Sequence, residues 1–203
     1  MKSESIAFGV AGILFGLIAG WVIGSQQAAL KPVQAPAQAA AQSAETPNGQ
    51  PAAVLDEAKV TAFKTIAEKE PSNSEARIQL ANLYFDAERY QDAIKWYTEA
   101  LNLTPNDINV STDLGVCYYY TSQPDKALAQ FALSLKLDPK HAKTLLNVGI
   151  VKAFGKQDLE GAMDAWQQVI QIAPNSPEGQ AAKRALDSMR SAHPAANSQK
   201  PGD

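Results

Sequence analysis

The side chains that most often carry catalysis or bind metals are few in this sequence, and they stand far apart. Cys117 is the only cysteine, and the two histidines are His141 and His193. A nucleophilic thiol needs a neighbouring base, and a metal site needs several ligands at short spacing, yet no pair of Cys or His has that spacing. Cys117 adjoins Tyr118 inside a predicted helix. We therefore expect a buried structural thiol, no metal site and no bound cofactor.

Carboxylate pairs and glycines give no better indication of an enzyme. Pairs such as Asp86 and Glu88 fall on predicted helix surfaces and turns, where charges are usually solvated. Glycines beyond residue 24 are scattered and form no phosphate-binding loop. The chain has 18 Lys and Arg against 21 Asp and Glu, with no basic stripe that would neutralise phosphates. We predict a protein without catalytic residues and without a nucleic-acid partner.

A pattern of aromatic residues and prolines recurs along residues 63–174. Prolines follow an aromatic residue by eight positions, at intervals of 34, 34 and 35 residues: Phe63 and Pro71, Tyr97 and Pro105, Phe131 and Pro139, Trp166 and Pro174. Alanines stand four residues before three of the aromatics, at Ala93, Ala127 and Ala162. Small residues occur upstream at Ala81, Gly115 and Gly149. Proline ends a helix, and small residues let two helices approach closely.

This pattern resembles the tetratricopeptide repeat, a pair of antiparallel helices of about 34 residues. The resemblance assigns repeats to residues 74–107, 108–141 and 142–176 within a domain over 54–193. In the third repeat Lys152 replaces the pattern's Tyr, and we place one extra residue in its turn, near 157–161. The implied fold class is an all-α solenoid of about three repeats with capping helices.

Helix ends are indicated by residues with a capping preference. Residues 54–70 and 176–192 are predicted to be single capping helices, the first with Ala58, Phe63 and Ile66 on one face, and 194–203 a disordered tail. Asn73, Asn106 and Ser176 are expected to cap the helices that follow them, and Pro177 suits a first helical position.

In this repeat family the first helices of successive repeats line a concave groove that accepts peptides or helices. The resemblance places the usual groove positions on Glu75, Ile78, Asn82, Phe85, Asn109, Thr112, Val116, Tyr119, Lys143, Leu146, Ile150 and Ala153. Members that clamp a chaperone's C-terminal carboxylate carry Lys where this chain has Ile78, so no such clamp is expected.

Our candidate partner-binding residues are mostly apolar or aromatic: Ile78, Asn82, Phe85, Thr112, Val116, Tyr119, Leu146 and Ile150. Phe85, Tyr119 and Tyr120 would be aromatic anchors, and Asn82 and Asn147 would bond a partner's backbone. For Ile78, Val116 and Ile150, burial in the core between repeats is as good an interpretation as contact with a partner.

The segment 6–24 is uncharged and almost wholly apolar. As a helix it would span about 28 Å, which matches the hydrocarbon core of a bilayer. A cleaved signal peptide has a shorter core and a small-x-small cleavage site, which Ser25 to Ala29 fit poorly. We predict a retained transmembrane helix after a tail over 1–5. Its glycines, Gly12, Gly16, Gly20 and Gly24, would allow close packing on another helix, including self-association as a homo-oligomer.

Residues 25–53 consist mainly of Ala, Gln and Pro and have little to bury, so we expect a disordered linker. Together these segments predict a single-pass protein of the bacterial inner membrane whose repeat domain lies in the periplasm. The arrangement of anchor, linker and repeats resembles the periplasmic repeat subunits of cytochrome c maturation and the accessory proteins of secretion machinery. This resemblance implies a non-catalytic adaptor in an envelope complex. A self-oligomerising scaffold and a cytosol-facing receptor are the alternatives.

Overall fold

The computed structural model describes residues 53–192, and the regular structure in this part of the chain is entirely helical. It comprises α1 (Glu57–Lys69), α2 (Ser74–Asp86), α3 (Tyr90–Leu103), α4 (Ile108–Tyr120), α5 (Pro124–Leu137), α6 (Ala142–Ile150), a π-helical turn (Val151–Gly155), α7 (Leu159–Ile172) and α8 (Pro177–Ala192). The predicted all-α solenoid is confirmed for these residues.

The predicted membrane helix over 6–24, its four glycines, the tail over 194–203 and nearly all of the linker over 25–53 lie outside the described residues. Within 53–192, no helix combines the length and the apolar character that crossing a bilayer requires.

Consecutive helices pack as three hairpins, α2 with α3, α4 with α5, and α6 with α7. Each hairpin packs against the next, through contacts of α3 with α4 and of α5 with α6. Helix α1 covers α2 at one end of the stack, and α8 covers α6 and α7 at the other. Stacking in this way buries apolar faces that a single hairpin would leave exposed.

A small residue on the first helix lies under a large aromatic ring from the second helix in the second and third hairpins. Gly115 lies against the ring of Phe131, and Gly149 lies against the indole of Trp166, so close that a Cβ on either glycine would overlap the ring. Trp166 is fully buried, and its Nε1 donates to the carbonyl of Leu146 at 3.2 Å. In the first hairpin Ala81 and Tyr97 share one core cluster.

Prolines end the second helices as predicted. Helices α1, α3, α5 and α7 each stop two residues before a proline, at Lys69, Leu103, Leu137 and Ile172. Asn73 accepts from the backbone N–H of Ala76, Ser176 accepts from that of Gly179, and Pro177 is the first residue of α8.

Two local predictions were wrong by a residue or two. Asp107, not Asn106, caps α4, because the helix begins at Ile108 and the Asp107 carboxylate accepts from the N–H of Val110 at 3.0 Å. Of the predicted face of α1, Phe63 and Ile66 pack against the core as expected, but Ala58 is exposed, and the buried residues of the helix are Val60 and Ala67. Residue 58 lies about 200° around the helix from residue 60, hence on the opposite side.

The extra residue of the third repeat lies before the turn, not near 157–161 as predicted. In the first two repeats the backbone bond that closes the turn spans five residues, from Arg89 N to Tyr84 O and from Gln123 N to Tyr118 O. In the third it runs from Asp158 N to Lys152 O and spans six. The π-helical turn Val151–Gly155 thus takes up the additional residue.

We predict that Gly149→Ala lowers the free energy of unfolding by about 1–3 kcal/mol, the usual effect of overpacking. Alanine gains up to about 1 kcal/mol in helix propensity, but the fully buried Trp166 ring has no room to move away. Urea denaturation checks this, with Gln168→Ala on the exposed side of α7 as the control. A variant as stable as the control would contradict the tight contact.

Candidate peptide-binding surface

The eight predicted partner-binding residues separate into a half-buried set and a buried set. Those on α2, namely Ile78, Asn82 and Phe85, are half-buried, as are Val116 and Tyr119 on α4. Thr112, Leu146 and Ile150 have between 0% and 5% of their surface exposed. Ile78 and Val116 also pack against core clusters, so each has one side in the core and one towards solvent.

The next element of the stack covers Thr112, Leu146 and Ile150. The expectation that Thr112 and Leu146 face a partner is therefore wrong, and for Ile150 the alternative of a place in the core holds. The Thr112 hydroxyl lies 2.7 Å from that of Thr144 on α6. Leu146 and Ile150 belong to the core cluster that α7 and α8 complete. Asn147, expected to bond a partner's backbone, is buried as well, and its Nδ2 donates to the carbonyl of Lys143.

Four half-buried rings form a continuous row that we call the aromatic band: Phe85, Tyr90, Tyr120 and Tyr119. The Phe85 and Tyr90 rings meet edge to face at 5.5 Å between centroids, Tyr90 and Tyr120 stack at 4.5 Å, and Tyr120 and Tyr119 lie 5.8 Å apart. The band thus joins the end of α2, the start of α3 and the end of α4. It brings the predicted anchors Phe85, Tyr119 and Tyr120 onto one surface.

Tyr90 is a member of the band that the sequence did not indicate. Repeat position alone assigns the groove to first helices, whereas Tyr90 begins the second helix of its pair. Tyr90 comes directly after the turn that follows Phe85. Because the end of one helix and the start of the next are neighbours in a hairpin, this position could have predicted that the two rings meet.

A cavity of about 470 Å³ opens at the far end of the aromatic band. Its lining comes from the end of α4, the following turn, the start of α5 and the π-helical turn: Tyr119, Tyr120, Ser122, Pro124, Phe154 and Gly155. A Cβ at Gly155 would lie 3.2 Å from the Tyr119 ring and 3.0 Å from Pro124. The absence of a side chain at Gly155 therefore keeps this space open.

Asn82 presents an oriented amide next to the aromatic band. The Tyr97 hydroxyl donates to Asn82 Oδ1 at 2.7 Å. Burial raises the pKa of Tyr97, so the phenol keeps the proton that it donates. Because its oxygen accepts this bond, the group that Asn82 can offer to a further acceptor is the Nδ2 donor.

Lys143, the one lysine at the predicted groove positions, is paired within the domain. Its Nζ lies 2.7 Å from Asp113 Oδ1, and both side chains are about one-fifth exposed. Burial raises the pKa of Asp113, and the Lys143 charge opposes that shift. Lys143 therefore neutralises a half-buried carboxylate on α4.

Cys117 lies beneath this surface and is fully buried, as expected of a structural thiol. Burial raises the pKa of its thiol, with a further contribution from Asp113, so it stays protonated. Across residues 53–192, no group of three or more His, Cys, Asp or Glu side chains is placed to hold a metal ion.

Comparison with known proteins identifies the fold. One family profile described as tetratricopeptide repeat matches residues 72–140, and a second with the same description matches residues 144–176. The chain belongs to the tetratricopeptide-repeat family. The third repeat is recognised in spite of its extra residue.

Relatives of this tetratricopeptide-repeat chain include the BBSome complex member BBS4 of Xenopus tropicalis, which is 29% identical over 117 residues. That match covers 57% of this chain and 22% of BBS4, so the chain spans about one-fifth of that relative.

Two solved structures show the same fold. A crystal structure of MamA has a TM-score of 0.55 at 16% identity and covers 68% of this chain and 88% of MamA. The first repeat domain of Spaghetti (RPAP3), bound to the HSP90 peptide SRMEEVD, has a TM-score of 0.53 at 24% identity. It covers 59% of this chain and 91% of that domain.

Asp86 follows Phe85 of the aromatic band and is the last residue of α2. It therefore lies at the C-terminal end of the helix, which is the negative end of the helix dipole. Burial raises the pKa of its carboxyl, and the nearby Asp113 raises it further. A raised carboxyl pKa means that ionising Asp86 destabilises the fold. This penalty is absent below the ordinary value of 3.8 and grows as the pH rises through the folded-state pKa.

We predict that Asp86→Asn raises the free energy of unfolding at pH 7 by a few tenths of a kcal/mol, since solvent screens part of the charge. The gain should shrink towards zero near pH 3, where the wild-type carboxyl is protonated. Urea denaturation at both pH values measures it, with the exposed Asp164→Asn as control. A loss of stability at pH 7 would contradict the assignment.

Proposed function

We propose that this tetratricopeptide-repeat chain is a non-catalytic adaptor that binds a segment of a protein partner across α2 and α4. The observation that supports this most directly is the aromatic band beside the oriented amide of Asn82. Rigid aromatic side chains dominate the energetics of many protein interfaces, because they give a large contact area at a small loss of conformational entropy.

The proposed binding mode combines ring contacts with one polar contact. Phe85 and Tyr119 provide apolar surface for the partner's side chains, and Asn82 Nδ2 donates to a carbonyl of its backbone. RPAP3, whose repeat domain shares the fold, was solved with a bound peptide. In this chain Ile78 carries no charge and Lys143 is paired with Asp113, so the partner is recognised without a terminal carboxylate.

The adaptor is held at a membrane in this proposal. Residues 6–24 have the length and apolar character of a transmembrane helix, and the Ala-, Gln- and Pro-rich linker separates them from the repeats. Lys2 stands closer to this apolar run than Lys31 does, which favours a cytoplasmic N-terminal side. The repeats then lie in the periplasm and assist assembly of an envelope complex, in cytochrome c maturation or secretion.

Capture of partners by the full-length chain from its own membranes tests the binding surface. We expect Phe85→Glu with Tyr119→Glu to reduce capture at least tenfold, because two charges would enter an apolar contact. The matched control is Leu133→Glu with Leu137→Glu on α5, where the replaced side chains are 51% and 45% exposed. Circular dichroism and thermal unfolding establish that each variant is folded.

A conservative variant keeps the test decisive, since Phe85 also contacts the Tyr97 ring. Asn82→Asp retains an acceptor for the Tyr97 hydroxyl and replaces the Nδ2 donor with a carboxylate oxygen, which repels a partner's carbonyl, so the variant should bind less. Thermal unfolding checks that the added charge leaves the domain folded. Unchanged capture by both groove variants would refute the adaptor surface. If the double variant Gly16→Leu with Gly20→Leu instead dissociates a homo-oligomer of this chain, the self-oligomerising scaffold is supported.

A further inference from the structure

The described part of the chain begins beside the aromatic band. The N–H of Ala53 donates to the carbonyl of Asp86 at 3.2 Å, and Asp86 directly follows Phe85, the first ring of the band. Three residues later Asp56 caps α1 by accepting from the N–H of Lys59. The linker therefore reaches the domain at one end of the aromatic band, with Pro51 only two residues away.

The dimensions of the aromatic band suit a short extended segment. Its successive ring centroids are 5.5, 4.5 and 5.8 Å apart, and the cavity next to Tyr119 extends it. A polyproline II strand advances about 3.1 Å per residue, so about six residues span the band.

The residues just before Ala53 have the chemistry that such a surface accepts. Residues 47–52 read Pro-Asn-Gly-Gln-Pro-Ala, carry no charge and place two prolines four residues apart. Proline-rich segments dock on aromatic grooves because their rings pack against aromatic faces and their backbone is already extended.

We propose that residues 47–52 of this chain dock on its own aromatic band. The short tether to Ala53 gives the segment a high effective concentration at the band, so weak individual contacts suffice. This docking stands independently of the adaptor function. If the linker docks and the chain is also an adaptor, a partner binds only by displacing the linker. A partner must then bind the aromatic band more tightly than the linker does.

Disulfide trapping in the purified full-length chain, held in detergent micelles, tests the docking. In a Cys117→Ala background, Asn48→Cys is paired with Ser122→Cys on the cavity rim, or with Ala129→Cys on the exposed side of α5. We expect the 48–122 disulfide to form at least about fivefold faster than the 48–129 disulfide, at a rate independent of protein concentration.

Two proline pairs provide the matched comparison. Pro47→Ala with Pro51→Ala should slow formation of the 48–122 disulfide about fivefold, whereas Pro32→Ala with Pro36→Ala, farther along the linker, should leave it unchanged. Equal rates in both double variants would overturn the proposal. Disulfide-linked dimers as the main product would assign the band to a second copy and overturn it too.

The outcome separates this proposal from the adaptor function. If trapping fails while Asn82→Asp still weakens capture, the linker docking is wrong and the adaptor surface stands. If trapping succeeds while capture is unaffected by the groove variants, the aromatic band serves the linker alone.

Discussion

The close approach of a small residue to a large ring, as in Gly115 with Phe131 and Gly149 with Trp166, sets the geometry on which the rest of the structure depends. Gly149 under Trp166 is the tightest example, because the helix backbone itself forms the surface on which the indole rests. Such close packing fixes the separation of the two helices and allows little adjustment. The end of each first helix is thereby held next to the start of its partner, which is where Phe85 meets Tyr90.

This constraint also explains how the third repeat accommodates an extra residue. The π-helical turn Val151–Gly155 lies after Gly149, so the helix keeps its register where it contacts Trp166. The turn that follows retains a positive φ at Gln157, as at Glu88 and Ser122 in the other repeats. The insertion therefore changes the backbone only at the end of the helix, where Gly155 lines the cavity.

Much of the fold was predictable because its determinants are local or periodic. Prolines and small residues recur with the repeat and give the helix pairs, and Asn73 and Ser176 act through their own neighbours. The burial of Thr112 and Leu146 was not predictable, because it depends on the helix that stacks on each of them, and for Ile150 the same dependence left a core and a partner-facing position equally open. Tyr90 was missed for a different reason, since the repeat pattern assigns the groove to first helices and Tyr90 begins a second helix.

The central claim is that partners contact the face formed by α2 and α4. Its most direct test is photocrosslinking in the native membranes, with a benzophenone side chain placed in turn at 82, 116 and 119 and at the outward positions 129, 133 and 168. The account predicts adducts to a second polypeptide from the first three positions alone. Adducts from the outward positions, with none from 82, 116 or 119, would contradict it.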